Sequence, residues 1–230
     1  MLKFKVLTKK VLQTVQNYTK NVTYPFCDYS VGVLFTWYIG FNAKYAIYND
    51  TLIIRAGKKT PRFLIPIGKD VFGAIKEIEN YCIKNNFALK FIAVSEEMLE
   101  KLKELYSSDI KSRFNRDYSD YIYDFNEMLT FQGKKFSGQR NHINSFKKQY
   151  QNYTVENLLN VPKKEVLRFL KEYKTQYKGM KNNEKKEFKY TKELCLLLKK
   201  TELIGKLDKL VKQRWVNAFI FSKRLFYVDN

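Results

Sequence analysis

The sequence predicts an α+β fold, a mixed sheet with flanking helices, and three stretches carry that prediction. The run YAIYNDTLIIR, residues 45–55, sets two β-rich segments around Asn49-Asp50, the pattern of a tight hairpin. Residues 70–85 then place Val71, Phe72, Ile75, Ile78, Tyr81 and Cys82 at helical spacing. The apolar run FALKFIAV (87–94) follows at once. Strand and helix therefore mix in one unit whose hairpin makes part of the sheet antiparallel.

In chain order, LTKKVLQTVQNY (7–18) reads as a short helix capped by Thr8, with Val11, Leu12, Val15 and Tyr18 on one side. After the hairpin, RFLIPI (62–67) reads as a further strand. Asp70 can cap the helix of residues 70–85, and Asn85-Asn86 can end it. FALKFIAV is expected to be a buried strand, and Ser95 opens a helix carrying Leu99, Leu102 and Leu105. DYIYDF (120–125) reads as a strand that closes this half.

Beyond residue 130 a helix is expected over 136–150, because Phe136, Ile143, Phe146 and Tyr150 fall near one face. Pro162 suits the first position of another helix, continued by Val166, Leu167, Leu170 and Tyr173. NNEKKEFKYTKE (182–193) looks like a charged approach to a helix of Leu194, Leu197 and Leu198. WVNAFIFSKRLFYV (215–228) looks like two strands around Ser222-Lys223-Arg224.

The chain has 230 residues, enough for one large domain or two small ones, and the division expected is 1–130 and 131–230. Hydrophobic residues make up 45% and aromatics 16%, a globular composition. There are 43 Lys plus Arg against 23 Asp plus Glu, a formal charge of +20. That excess favours polyanions such as RNA, DNA or an anionic lipid surface, although Lys-rich, Asn-rich codon usage is an equally plain source of it.

Cys27, Cys82 and Cys195 are widely spaced and lack CxxC pairing, so neither a disulfide framework nor a zinc site is indicated. A reducing cytoplasm is the simplest compartment. The start, MLKFKVLTKKVLQTVQ, has no apolar core of the signal-peptide kind, and no apolar run approaches the ~20 residues of a membrane-spanning helix. There is no GxGxxG, no GxxxxGK[ST], no HExxH and no nucleophile elbow. Dinucleotide, P-loop, zinc-protease and Ser–His–Asp chemistry are therefore set aside, and no cofactor or metal is implied.

What remains is KKFSGQRNHINSFKKQY (134–150), with five basic side chains, no acid and the chain's one histidine. On a helix, Arg140, Asn144, Lys147 and Lys148 take neighbouring positions away from Ile143, Phe146 and Tyr150. Lys134 and Lys135 precede the helix near its N-terminus, where unpaired N–H groups favour an anion. Long cationic donors, a positive helix end and no carboxylate in the stretch are what phosphate binding needs. A solvated, Lys-rich helix face would read the same way, and His142 by itself is more often structural than a base.

The order of residues adds a resemblance. RDYSDYIYDFNEMLTFQGKKFSGQRNHINSFKK (116–148) resembles a signature of the phosphatidylglycerol lysyltransferase C-terminal domain family. In that pattern an Arg-Asp pair (Arg116-Asp117) leads into Asp-Tyr-Ile-Tyr (120–123). A Gly-Lys-Lys step (133–135) follows, then a helix with an aromatic (Phe136) before Arg-Asn-His-Ile (140–143). CDYSVGVLFTWYIGFNAKYAIYNDTLIIR (27–55) also looks like the family's entry segment, and the likeness covers residues 1 to about 205.

The resemblance implies two tandem GNAT-like acyltransferase lobes and transfer of an aminoacyl group from aminoacyl-tRNA to an anionic phospholipid. Lys134, Lys135, Arg140 and Lys147 are the candidates for holding phosphate, with Asn144 and Lys148 beside them on the helix. Asn141 or His142 would serve as hydrogen-bonding or structural support, and no general base is named. The stretch after Gly205 lacks the Gly-rich strand-turn-strand expected of the second lobe, so that lobe is expected to be incomplete. The competing expectation is a non-catalytic basic module that binds RNA or an anionic membrane surface.

Overall fold

A computed structural model describes residues 2–20, 22, 26–36, 38–106, 110–116, 119–120, 124–176, 182–196, 203–210 and 214–222. The chain divides into two compact units, 1–119 with 180–194, and 120–179 with 195–230. The α+β class holds, with a mixed sheet and flanking helices.

The first unit opens with β1 (Lys5–Val6), α1 (Leu12–Thr19) and α2 (Val31–Thr36). The hairpin follows as β2 (Lys44–Tyr48) and β3 (Thr51–Ala56). Asn49 (φ 43°) and Asp50 (φ 53°) both take the left-handed conformation that a two-residue hairpin turn demands, which short polar side chains tolerate best. RFLIPI is not one strand: it divides into β4 (Arg62–Leu64) and β5 (Ile67–Gly68), with Pro66, which has no N–H to donate, between them. Then come α3 (Val71–Lys84), β6 (Phe91–Ile92) and α4 (Glu96–Tyr106).

The sheet runs β1-β2-β3-β4-β6 with β5 paired to β3. All pairs are antiparallel except β4 with β6. β3 is buried along its whole length, and the core on the α3 side joins Ile53 and Phe63 to Ala74, Ile78 and Cys82. Asp70 caps α3 as expected, its carboxylate accepting from the Gly73 N–H at 2.9 Å, and Ser95 accepts from Met98 N–H at the start of α4.

FALKFIAV is far shorter as a strand than expected. Only Phe91 and Ile92 pair with β4, and both are half-buried. Past that point Ala93 turns to φ 50° and the two strands part. The Tyr29 hydroxyl, 3% exposed, fills the gap: it accepts from Ile65 N–H and donates to the Ala93 carbonyl, both at 3.1 Å. A side chain thus completes a ladder that backbone would otherwise have to close.

Arg55, 6% exposed near the end of β3, is the buried cation among the described residues of this unit. Its guanidinium lies 5.7–5.8 Å from the ring centroids of Phe4, Tyr81 and Phe87. Tyr81 is in the last turn of α3, so cation–π attraction and the negative end of the helix both favour the charge there.

The second unit contains α5 (Phe125–Thr130), α6 (Ser137–Gln149), β7 (Thr154–Asn157) and α7 (Lys163–Gln176). After α8 (Asn182–Cys195), most of which belongs to the first unit, β8 (Leu203–Leu210) and β9 (Arg214–Ser222) complete an antiparallel sheet in the order β7-β8-β9. Three expectations change here. Phe125 starts a helix capped by Asp124 rather than ending a strand, while 121–123 lie outside the described residues. Pro162 stands one residue before α7, and its carbonyl accepts from Val166 N–H at 3.3 Å. NNEKKEFKYTKE is itself helical, as its Lys and Glu content allows, whereas Leu197 and Leu198 are outside the described residues. Arg214–Ser222 forms β9, paired with β8, and residues 223–228, on which the expected second strand falls, lie outside the described residues.

Candidate functional site

The basic stretch becomes a short 3-10 turn, Lys134–Phe136, followed by α6. What sets its geometry is the connection from α5. Phe131 adopts φ 48° and its N–H returns to the Glu127 carbonyl at 2.8 Å, ending α5. Gly133 follows at φ 87°, with open space where a Cβ would stand, so glycine is used there for its conformation and not for room. The Arg140 guanidinium reaches back and donates to the carbonyls of Phe131 and Gly133, the latter at 2.7 Å. It locks the turn and also places a cation at the C-terminal end of α5.

The eight predicted site residues therefore do different work. Arg140 is half-buried and committed through Nη1 to the turn. Lys135 is ion-paired with Glu127, and its ammonium stands 5.0 Å over the Phe136 ring. Phe131 and Phe136 meet edge to face at 5.6 Å beneath this pair. Lys134, Lys147 and Lys148 are exposed and make no ion pair among the described residues. Asn141, His142 and Asn144 are exposed too.

At about 100° per residue, Lys147, Arg140, Asn144, Lys148 and Asn141 fall within about 120° of the α6 circumference. His142 stands about 200° from Arg140 and points elsewhere, so it cannot share a ligand with that group of side chains. On the flank of the cationic sector, Phe146 packs its ring 5.0 Å from those of both Tyr150 and Tyr153.

Glu127 is the residue that sequence reasoning missed. The stretch 134–150 has no acid, yet a carboxylate eight residues before Lys135 neutralises it once the α5–α6 turn closes. The signal was legible in Asp124-x-x-Glu127, a helix-start pattern that places Glu127 in the first turn of α5.

Chemically, the sector can hold a phosphate and offer amide donors beside it. It contains no nucleophile. Cys82 and Cys195 are buried, and burial pushes both thiols up, the second to about 11, which suppresses the reactive thiolate. Among the described residues, no three or more His, Cys, Asp or Glu gather to hold a metal ion. No helix among them is long and apolar enough to cross a membrane.

A crystal structure of a conserved protein of unknown function from Bacteroides thetaiotaomicron VPI-5482 is similar to this chain with a TM-score of 0.81. The likeness covers 96% of this chain and 75% of that one at 21% identity, and so speaks to fold alone. No curated protein sequence matches the chain. A family model described as phosphatidylglycerol lysyltransferase, C-terminal, matches residues 22–214, most of the chain. By that match the chain belongs to the phosphatidylglycerol lysyltransferase C-terminal family.

Proposed function

We propose that the chain is a GNAT-like, acyltransferase-related protein that transfers an aminoacyl group from aminoacyl-tRNA to an anionic lipid or comparable acceptor. Its lobes divide near residue 130, and it works in the cytoplasm at the inner face of the membrane. The observation that carries this reading is the cationic sector of α6. Lys147 and Lys148 are exposed and unpaired among the described residues, on the same side as Arg140 and Asn144. In this reading they hold the phosphate of one substrate while Lys134 meets it at the turn, and Asn141 and Asn144 supply neutral donors.

The reaction is an attack of an acceptor hydroxyl on the aminoacyl ester carbonyl. A new ester C–O bond forms, the bond to the tRNA ribose oxygen breaks, and the acceptor's proton passes to that leaving oxygen. Orientation and stabilisation of the transient oxyanion are the protein's contribution, and both need fixed cations and donors more than a strong base. Family membership supports the class of reaction, and the cationic sector supports the anionic substrate.

The test is incubation with charged tRNA and vesicles containing phosphatidylglycerol, followed by detection of aminoacylated lipid. The paired substitution Lys147→Ala, Lys148→Ala should lower the rate at least ~10-fold with an unchanged melting curve. A rate indifferent to that pair removes α6 from the site. One observation favours a second reading, a non-catalytic basic module: Lys135 and Arg140 are already engaged within the chain. Under it, anionic lipid or RNA binds and no product forms.

A further inference from the structure

Glu127 is held against the basic stretch in a way that the proposed reaction does not require. No acidic residue occurs between Glu127 and Glu156, an interval that carries five cations. The carboxylate that precedes them is nevertheless brought to Lys135, and its backbone is fixed on both sides. The Glu127 N–H donates to the Asp124 carboxylate and the Glu127 carbonyl accepts from Phe131 N–H, each at 2.8 Å. Arg140 then fastens the next residues of the turn by donating to the Phe131 and Gly133 carbonyls.

Lys135 is seated from the other side. Its ammonium stands 5.0 Å over the Phe136 ring, and that ring meets Phe131 edge to face. An exposed ion pair ordinarily contributes little, because two long side chains must be ordered to form it. Here the backbone of both partners is already ordered, in α5 and in the 3-10 turn, which lowers that cost. Lys134, the neighbouring cation, makes no ion pair among the described residues. The two lysines of the turn therefore differ: Lys134 meets an anion directly, and Lys135 meets it only after Glu127 has been displaced.

How readily a carboxylate is displaced from an ammonium depends on the charge of the anion that replaces it. A phosphodiester brings a single negative charge, so exchange on Lys135 substitutes one monoanion for another and gains little. A phosphomonoester above its second pKa of about 6 brings nearly twice that charge and competes with advantage. We propose that Glu127 is a specificity-determining residue of the α6 site, withholding Lys135 from singly charged phosphodiesters and yielding it to doubly charged phosphomonoesters. This selectivity rests on α6 being the phosphate-holding helix proposed above, and specifies which phosphate its turn admits.

The test titrates the full chain at about pH 8, where a phosphomonoester is doubly charged. Glycerol phosphate is the monoester and glycerophosphoglycerol the diester, with binding followed through amide chemical shifts. Phosphatidic acid and phosphatidylglycerol, each in vesicles of neutral lipid, repeat the comparison for a membrane source. The parent should prefer the monoester. Glu127→Gln should tighten the diester roughly 2- to 5-fold and the monoester less, so that the preference shrinks. Glu127→Ala should act in the same direction, which keeps the test decisive if one variant does not fold. Glu172→Gln, which removes an exposed carboxylate 3.9 Å from Arg168 on α7, changes the net charge equally and should leave the preference as it was. Lys135→Ala should weaken the diester more in the Glu127→Gln background than in the parent.

A parent that binds both esters alike overturns the proposal, and so does a preference unchanged in both Glu127 variants. An equal gain from Glu172→Gln overturns it by making the effect one of net charge. Equal losses from Lys135→Ala in the two backgrounds do so as well, since the two side chains would then act independently. A preference that shrinks in either the soluble or the vesicle arm supports it, and the tighter arm identifies the source of the phosphate. Should Lys147→Ala, Lys148→Ala leave anion binding unchanged while the Glu127 variants keep their effect, α6 fails as the holder of substrate and the selectivity of the turn stands. Weakened binding in that pair with silent Glu127 variants means the reverse. No binding of either ester by the parent removes both.

Discussion

Helices α3 and α6 are almost equal in length, 14 and 13 residues, and opposite in what they do. α3 is capped by Asp70 and buries Ala74, Ile75, Ile78 and Cys82 at helical spacing. α6 has no side-chain cap and no fully buried residue. In α3 packing dictates these four positions, although Phe72 and Ile83 on the same helix are exposed. Packing dictates much less in α6, where only Phe146 and Tyr150 have close aromatic neighbours. A run of cations on such a helix is not there to fill space, which is why its charges are the ones to assign to a ligand.

The sharpest way to break this contrast is to truncate one aliphatic side chain on each helix. Ile78, 0% exposed, is expected to cost about 2–5 kcal/mol as Ile78→Ala, through lost burial and a cavity. Ile143, 36% exposed, should cost under ~0.5 kcal/mol as Ile143→Ala. Urea unfolding of the two variants measures both. Comparable losses would mean that α6 is packed against something, and the division between a structural and a binding helix would fail.

Second in size is Tyr29→Phe. Removing that hydroxyl leaves Ile65 N–H and the Ala93 carbonyl without the group that bridges them, at a cost of about 1–3 kcal/mol. Amide exchange at Ile65 should quicken more than at Leu52 in the middle of the sheet. If exchange at Ile65 keeps its protection, β4 and β6 are held together by something other than this side chain.

Tyr29 also shows why some of the fold was legible in sequence and some was not. The hairpin at Asn49-Asp50 and the helix from Asp70 are local: turn conformation and capping each act over four residues or fewer. β6 reads as an eight-residue strand because nothing in FALKFIAV reveals that a tyrosine 64 residues away takes over its hydrogen bonding. The candidate site divides in the same way. Spacing places Arg140, Asn144 and Lys147 on one side of α6, but the Lys135–Glu127 pair and the return of Arg140 to the turn exist only after the chain closes on itself. Arg55 is a further case, since its aromatic surroundings come from Phe4, Tyr81 and Phe87 in three separate segments.

Capping gives the third prediction. Asp70→Ala removes the acceptor for Gly73 N–H and should cost about 1 kcal/mol, read as a lower urea midpoint with an unchanged slope. Asp70→Asn should recover most of it, because an amide oxygen also accepts. On α6, where Phe136 occupies the corresponding position and caps nothing, no substitution can produce a loss of that kind.

The smallest effect is in the alkaline limb of stability, and it again separates packed groups from exposed ones. Burial first, and the neighbouring Glu79 second, push the Tyr106 hydroxyl up to about 12 from its ordinary 10.0. Burial likewise raises the Cys82 thiol and takes Cys195 to about 11 from 9.0. For a group whose proton is held more tightly in the folded chain, the stabilisation is complete below the unfolded pKa and is lost as pH rises through the folded one. Stability should therefore begin to fall near pH 9 as the thiols of the unfolded chain ionise, and fall more steeply above pH 10 through Tyr106 together with Tyr38 and Tyr18, whose hydroxyls burial also raises. Tyr106→Phe should make the decline above pH 10 shallower without abolishing it, and leave the lower part in place.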